Sequence, residues 1–335
     1  MSTAHHLTSR PATKDSIAGK FEEGKNILKT AEPELYYRME AKKDGFFQTA
    51  MLGSAPTISR RFDLVIGSGR KGQTYLYWDK NDQLYQLPVS FWTEPDTWVH
   101  SPGYDDRVVN FGRPVFPRCL ECHASSFEAL RDSGGGNRYN PSNYVLGISC
   151  EKCHGPGQEH VNLQNDKTKK PSDRLIVNTA KLSRERQIGL CALCHGGLGL
   201  AKAPPFSYTV GADLENYLHL VMPGPNEPVD VHGNQVALLE RSRCYQTSTM
   251  TCSTCHDVHI PQRDPAAFAE RCLTCHKVQS CGLFPKRGDR IAGKCVDCHL
   301  PRLTSNMIVS SHEGARLRPQ VRTHWIKVYP EIRMP

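Results

Sequence analysis

The sequence predicts an α+β chain in two parts: a small β-rich N-terminal region over residues 1–112, then a mainly helical and irregular region over 113–335. Three observations lead there. Short apolar and aromatic runs crowd the first 112 residues, the pentapeptide C-x-x-C-H recurs from residue 119 onward, and only 38% of the 335 residues are hydrophobic. With a mean hydropathy of −0.51, side chains alone offer a thin core for the two domains that this length allows.

In the first region, "RRFDLVIGSGRKGQTYLYWDKNDQLYQLPVSFW" reads as three short strands, near Phe62 to Ile66, Gln73 to Trp78 and Gln83 to Val89, with "KND" as a turn. Three of the four Trp lie in this region, and it reads as an antiparallel β unit with a short helix before it. Its N-terminus, with His5 and His6, is expected to be a flexible tail. Gly67, Gly69 and Gly72 spell G-x-G-x-x-G after an apolar run, but a dinucleotide fingerprint needs a helix next. The strand-prone "QTYLYW" follows instead, so these glycines read as a tight strand-to-strand connection.

From Pro114 the chain reads as short helices and loops. Asp264 and Ser183 are natural N-caps, with Pro265 at the first helical position of "RDPAAFAERCLTCH". "RDSGGGNRYNPSN" (Arg131 to Asn143) reads as a mobile surface loop. Between these elements lie "CLECH" (Cys119, Cys122, His123), "CEKCH" (Cys150, Cys153, His154), "CALCH" (Cys191, Cys194, His195), "CSTCH" (Cys252, Cys255, His256), "CLTCH" (Cys272, Cys275, His276) and "CVDCH" (Cys295, Cys298, His299).

Zinc also takes Cys and His at such spacings, but it has no reason to demand a His directly after every second Cys. Covalent haem does: two thiols form thioethers with the porphyrin and the adjoining His ligates the iron. Six signatures consume twelve of the 14 Cys, which predicts six haems c with His123, His154, His195, His256, His276 and His299 as proximal ligands. Six apolar porphyrins would supply the missing interior, so the haem-free chain is expected to fold poorly in its C-terminal two thirds.

Nine other His remain. Most lone His carry no metal, but an iron with one protein ligand has a sixth position that a second imidazole fills. His259 lies too near His256 to cap its own iron and is placed to reach a neighbouring one. His160 follows a Gly155-Pro156-Gly157 turn, His232 begins "HGNQVALLERSRC" and His324 follows the last motif in "RTHWIKVY". These four are the leading distal candidates, with His100, His219 and His312 behind them. Cys244 and Cys281 stand outside every motif and read as a disulfide or as two separate thiols.

The formal charge of +8 and pI near 8.8 do not indicate nucleic acid. Six haems add roughly −12 from propionates and about +6 from ferric cores, leaving the oxidised protein near ~+2 and the reduced one near ~−4. No compact Lys/Arg run with interleaved aromatics is present. Thioether attachment takes place outside the cytoplasmic membrane, so the chain is expected in the periplasm or outside the cell. "MSTAHHLTSRPATKDSIAGKFEEGKN" has no apolar signal core and no stretch approaches transmembrane length, which reads as a chain without its signal sequence.

"GISCEKCHGPGQEHV", "IVNTAKLSRERQIGLCALCH", "HGNQVALLERSRCYQTSTMTCSTCHDVH", "CVDCHLPR" and "THWIKVY" resemble the bacterial multihaem cytochrome c family that includes the tetrahaem electron acceptor of hydroxylamine oxidoreductase. "VIGSGRKGQTYLY", "LYQLPVSFW" and "WVHSPGYDDRVVNFGRPVFPRCLECHA" are more similar to its relatives joined to tetratricopeptide repeats, although no repeat array is present here. The resemblance implies closely paired, mostly bis-His haems, and supports His160, His232, His259 and His324 as distal ligands.

Function then reads first as electron relay between redox partner proteins, among them other cytochromes or further copies of the chain. A multihaem oxidoreductase acting on a small nitrogen or sulfur species is the second reading; it needs an iron with an open position, and the lysine variant C-x-x-C-K of one such class is absent. A subunit of a conductive filament or redox complex is the third.

Overall fold

The computed structural model describes residues 3–130, 136–168, 175–224 and 226–332. It divides into two compact units, Met1–Gly157 with Ile308–Pro319, and Gln158–Met307 with Gln320–Pro335. The first unit thus runs past residue 112 and takes in the first two C-x-x-C-H motifs.

Strands dominate the first unit: β1 (Ser9–Pro11), β2 (Ile27–Lys29), β3 (Leu35–Lys42), β4 (Gly45–Leu52), β5 (Ala55–Arg61), β6 (Leu64–Ile66), β7 (Gly72–Trp78), β8 (Leu84–Gln86), β9 (Val89–Trp92), β10 (Thr97–His100) and β11 (Arg113–Pro114). One antiparallel sheet has the order β2-β3-β4-β5. The other has the order β1-β6-β7-β8-β11, with β9 paired to both β7 and β10. The sheet from β2 to β5 stands where a short helix was expected. In β3, Leu35, Tyr37 and Met39 point inward while Tyr36, Arg38 and Glu40 are less buried, a period of two that only a strand can satisfy.

Both sheets feed one core, in which Leu28, Tyr37 and Met39 from the first meet Val65, Tyr75, Phe91 and Trp98 from the second. Phe62 stacks on Tyr75 at 4.5 Å, Phe91 meets Trp98 edge-on at 5.3 Å, and the Trp98 indole N–H donates to the Lys20 carbonyl at 2.8 Å. Large rings with their polar atoms satisfied give such a core both burial and a fixed geometry. Gly67, at φ 106°, turns β6 directly into β7, so G-x-G-x-x-G is indeed a strand-to-strand connection.

Beyond the sheets, α1 (Pro117–Glu121) carries the first motif, β12 (Ala124–Ala129) pairs with β13 (Tyr139–Leu146), and α2 (Cys150–His154) carries the second motif. Part of the predicted mobile loop, Tyr139 to Asn143, is therefore strand; residues 131–135 lie outside the described residues. Cross-strand aromatics explain the difference. Phe127 stacks on Tyr144 at 4.9 Å, and the Tyr139 hydroxyl donates to the Val115 carbonyl at 2.7 Å. The excursion Ile308–Pro319 adds a hairpin of Ser310–His312 with Ala315–Leu317, held by Ser310 donating to the His100 carbonyl.

The second unit is built from α3 (Gln158–Asn165), α4 (Arg184–His195), α5 (Gln235–Glu240), α6 (Arg243–Gln246), α7 (Pro265–Leu273), α8 (Phe284–Arg287) and α9 (Cys295–His299), joined by 3-10 turns and two-stranded pairs. Ser183 caps α4 by accepting from Arg186 N, and Asp264 caps α7 by accepting from Ala266 N, with Pro265 at its start, as the sequence predicts. A small cluster of Ile188, Leu193, Leu214, Leu218 and Val236 packs against Cys194 and Cys252. Arg322 ties the returning C-terminal segment to the last motif through the carbonyls of Val296 and Leu300, at 2.6 and 2.8 Å. Among the described residues no helix is long and apolar enough to cross a membrane.

Candidate functional site

Each C-x-x-C-H motif sits on or beside a helical turn. Pro117 starts α1 ahead of Cys119, and α2 and α9 each span a whole motif. The last turn of α4 holds Cys191, Cys194 and His195, Cys252 opens a 3-10 turn, and Cys272 lies in the last turn of α7. Helical spacing puts residues i, i+3 and i+4 on one face. Two thiols and the imidazole of one motif can therefore serve one flat group, which this pentapeptide achieves and a tetrahedral zinc site does not require.

The attachment cysteines of the second unit follow one another closely. The Cys191 side chain hydrogen-bonds Cys252 and lowers the Cys252 thiol, against the effect of burial. Burial pushes the Cys272 thiol up to about 11, with Cys295, Cys255 and Cys244 adding to the shift. Cys194 and Cys252 also pack on one small cluster, which brings the third and fourth motifs together.

Cys244 and Cys281 are not joined, and among the described residues no disulfide is present. Cys244 acts on Cys255 and Cys272, whereas Cys281 acts on Cys295 and Cys298. The arrangement corresponds to the alternative of two separate thiols.

The histidines divide by unit. In the second, the His256 and His324 rings lie with centroids 6.1 Å apart and planes 25° apart. Two imidazoles on opposite sides of one iron have centroids about 6 Å apart, given metal–nitrogen bonds of about 2 Å. Burial, then His256 and His195, bring the His324 pKa down to about 4, so its ring is neutral, as a ligand must be. The residues present thus fit a haem held by Cys252, Cys255, His256 and His324.

Orientation adds to the fit, because a ligating imidazole usually donates its other N–H to a carbonyl or carboxylate. His299 Nδ1 donates to the Lys327 carbonyl at 2.8 Å. His219 Nδ1 bonds the Glu215 carboxylate at 2.9 Å, His259 Nδ1 bonds Asp257 at 3.2 Å, and in the first unit His312 Nδ1 donates to the Trp98 carbonyl at 2.8 Å. A hydrogen bond through Nδ1 makes Nε2 the nitrogen that a metal would take. The carboxylates were the part the sequence reading missed, although E-x-x-x-H and D-x-H are spacings that bring these pairs together.

Other candidates differ. His160, on α3, has Nδ1 buried without a hydrogen-bond partner. His100 is 1% exposed, and neither ring nitrogen has a hydrogen bond of good geometry; burial lowers its pKa against the pull of nearby Asp106. Buried imidazoles of this kind are suited to bind a metal through a ring nitrogen. His232 is exposed by surface area, yet enough chain surrounds the ring for desolvation to lower its pKa, with Asp230 opposing. His259 is exposed, its side chain at 73%.

Comparison with known proteins follows these features. A family model described as cytochrome c554 and c-prime matches residues 107–155, the stretch that holds the first two motifs. The multiheme cytochrome MtrA of Shewanella baltica (strain OS185) is 26% identical over 194 residues, or 55% of this chain and 45% of that relative. The chain therefore matches about half the length of that relative. A crystal structure of the outer cell wall cytochrome OcwA shares the fold at a TM-score of 0.53 and 15% identity, covering 97% of this chain and 75% of that one. In the matched region, in the matched fold and in the recurring C-x-x-C-H signature the chain is similar to multihaem cytochromes of the c type.

Proposed function

We propose that the chain is a hexahaem cytochrome c that relays electrons between redox partner proteins outside the cytoplasm. The observation that carries this reading is the sixfold C-x-x-C-H signature, beside which the His256 and His324 rings lie 6.1 Å apart. Porphyrins held by these Cys pairs would each supply a one-electron ferric/ferrous couple. Six haems would be held by the six Cys pairs with His123, His154, His195, His256, His276 and His299. His160, His232, His259 and His324 are the leading second ligands, and His100, His219 and His312 are further candidates. Neutral imidazoles on both faces keep iron low-spin and closed to substrates, which suits transfer and not turnover.

Location outside the cytoplasm is supported by the attachment chemistry and by the likeness to an outer cell wall cytochrome. The narrower kinship with the tetrahaem acceptor of hydroxylamine oxidoreductase belongs to the same proposal. Pyridine haemochrome analysis and intact mass of the holoprotein are expected to give six haems. Electron paramagnetic resonance of the oxidised protein is expected to show low-spin centres alone. A high-spin ferric signal amounting to one haem would overturn the pure relay and favour a reactive site.

A further inference from the structure

The N-terminal residues, expected to be a tail, are built into the first unit. Thr3 is buried, β1 pairs with β6, and the segment between them is bonded to the flanks of both motifs of this unit. The Thr8 and Ser9 hydroxyls donate to the His123 carbonyl at 2.8 and 2.7 Å. The Ser9 hydroxyl also accepts from Gly147 N at 2.8 Å. The carbonyl of His5 accepts from Ile148 N at 3.0 Å, two residues before Cys150, and shares the single Thr8 hydroxyl proton with the His123 carbonyl, at 2.8 Å. Gly147, at φ +67°, has no room for a side chain, since an added Cβ would stand 2.2 Å from the His6 carbonyl oxygen.

This lacing fixes the backbone of His5 between the end of one C-x-x-C-H motif and the start of the next. Its ring is half-buried, and its carbonyl is bonded two residues ahead of Cys150 and, through the Thr8 hydroxyl, next to the His123 carbonyl. The unit contains two proximal ligands, His123 and His154, and each iron needs a second. We propose that His5 is the sixth ligand of one of these two irons, an inference that rests on the haem reading above. An imidazole fixed by its own backbone beside the motif would be delivered without the entropy loss of ordering a loose tail. Such a ligand would make residues 3–11 part of the metal site as well as part of the sheet.

The test uses holoprotein carrying His5→Gly, with His6→Gly as the control. Six haems by pyridine haemochrome, one haem equivalent converted from low-spin to high-spin, and return to low-spin on adding imidazole are expected for His5→Gly only. Six haems with every centre still low-spin would overturn the inference, as would the same conversion in His6→Gly instead. Should His5→Gly fail to accumulate as holoprotein, His5→Met decides: a methionine-ligated or high-spin signature upholds the assignment, and an unchanged spectrum overturns it. A wild-type chain without bound haem would strike the haem reading itself, which separates the two failures.

Discussion

In the first unit Trp98, Tyr37, Tyr75, Tyr139 and Phe91 are almost wholly withdrawn from water, and every one of the largest fully buried side chains lies between Leu28 and Tyr139. Among the described residues the second unit, of similar length, has a smaller cluster around Leu193, Leu218 and Val236, while Leu198, Leu200 and Val328 stay 64–71% exposed. Each fully buried large apolar side chain is worth about 1.5–3 kcal/mol. The β region can therefore account for its own stability, and the region of crowded motifs cannot do so to the same degree. Covalent porphyrins fill that gap if the haem reading holds, so one chain combines a self-sufficient core with one completed by its cofactors.

The largest effect should come from withholding haem. In a chain made without haem attachment, limited proteolysis with mass spectrometry is expected to leave the β-rich part of the first unit protected while residues 158–307 are cut throughout. Equal protection of both would end the contrast. Next, Trp98→Ala is expected to cost about 3–5 kcal/mol in the first unit, by removing a ring packed on Phe91 and Tyr75. Denaturant unfolding followed by far-ultraviolet dichroism measures this, and the visible spectrum of the holoprotein should be the same before unfolding.

The smallest concerns Glu40 on β3. Burial by itself raises its pKa, but the hydrogen bond from Thr49 and the charges of Lys42 and Arg38 outweigh it, so the folded value lies below 4.5. A depressed carboxylate stabilises the fold above its unfolded pKa and loses that contribution as pH falls through the folded value. Glu40→Gln should therefore narrow the stability difference between neutral pH and pH below about 4, seen as a shallower acid limb in unfolding midpoints. An unchanged limb would show that the ion pairs of Glu40 are fully screened.

What was legible in the sequence follows from where each signal resides. The motifs were plain because covalent attachment demands fixed residues at fixed spacing. The N-caps Ser183 and Asp264 were plain because a cap is local chemistry. Strands β6 and β7 were found near their observed places, since their apolar runs are bounded by turn residues. The sheet from β2 to β5 was missed, because Ala, Glu, Lys and Met in "LYYRMEAKKDGFF" favour helix locally and only packing against the other sheet decides for strand. The His324 partnership with His256 joins residues 68 positions apart and leaves no spacing to read. The anchoring of His5 likewise depends on Thr8, Ser9 and Gly147, none of which carries a recognisable motif.

The excursion of Ile308–Pro319 into the first unit has a consequence for modularity. After the last C-x-x-C-H motif the chain crosses back, contributes the hairpin that bonds the carbonyls of Trp98 and His100, and then crosses again to deliver His324 to the second unit. A cut after Gly157 leaves the first unit short of a piece of itself. Neither unit is a cassette that recombination could exchange at a single junction, so a viable chimaera must move both crossings together.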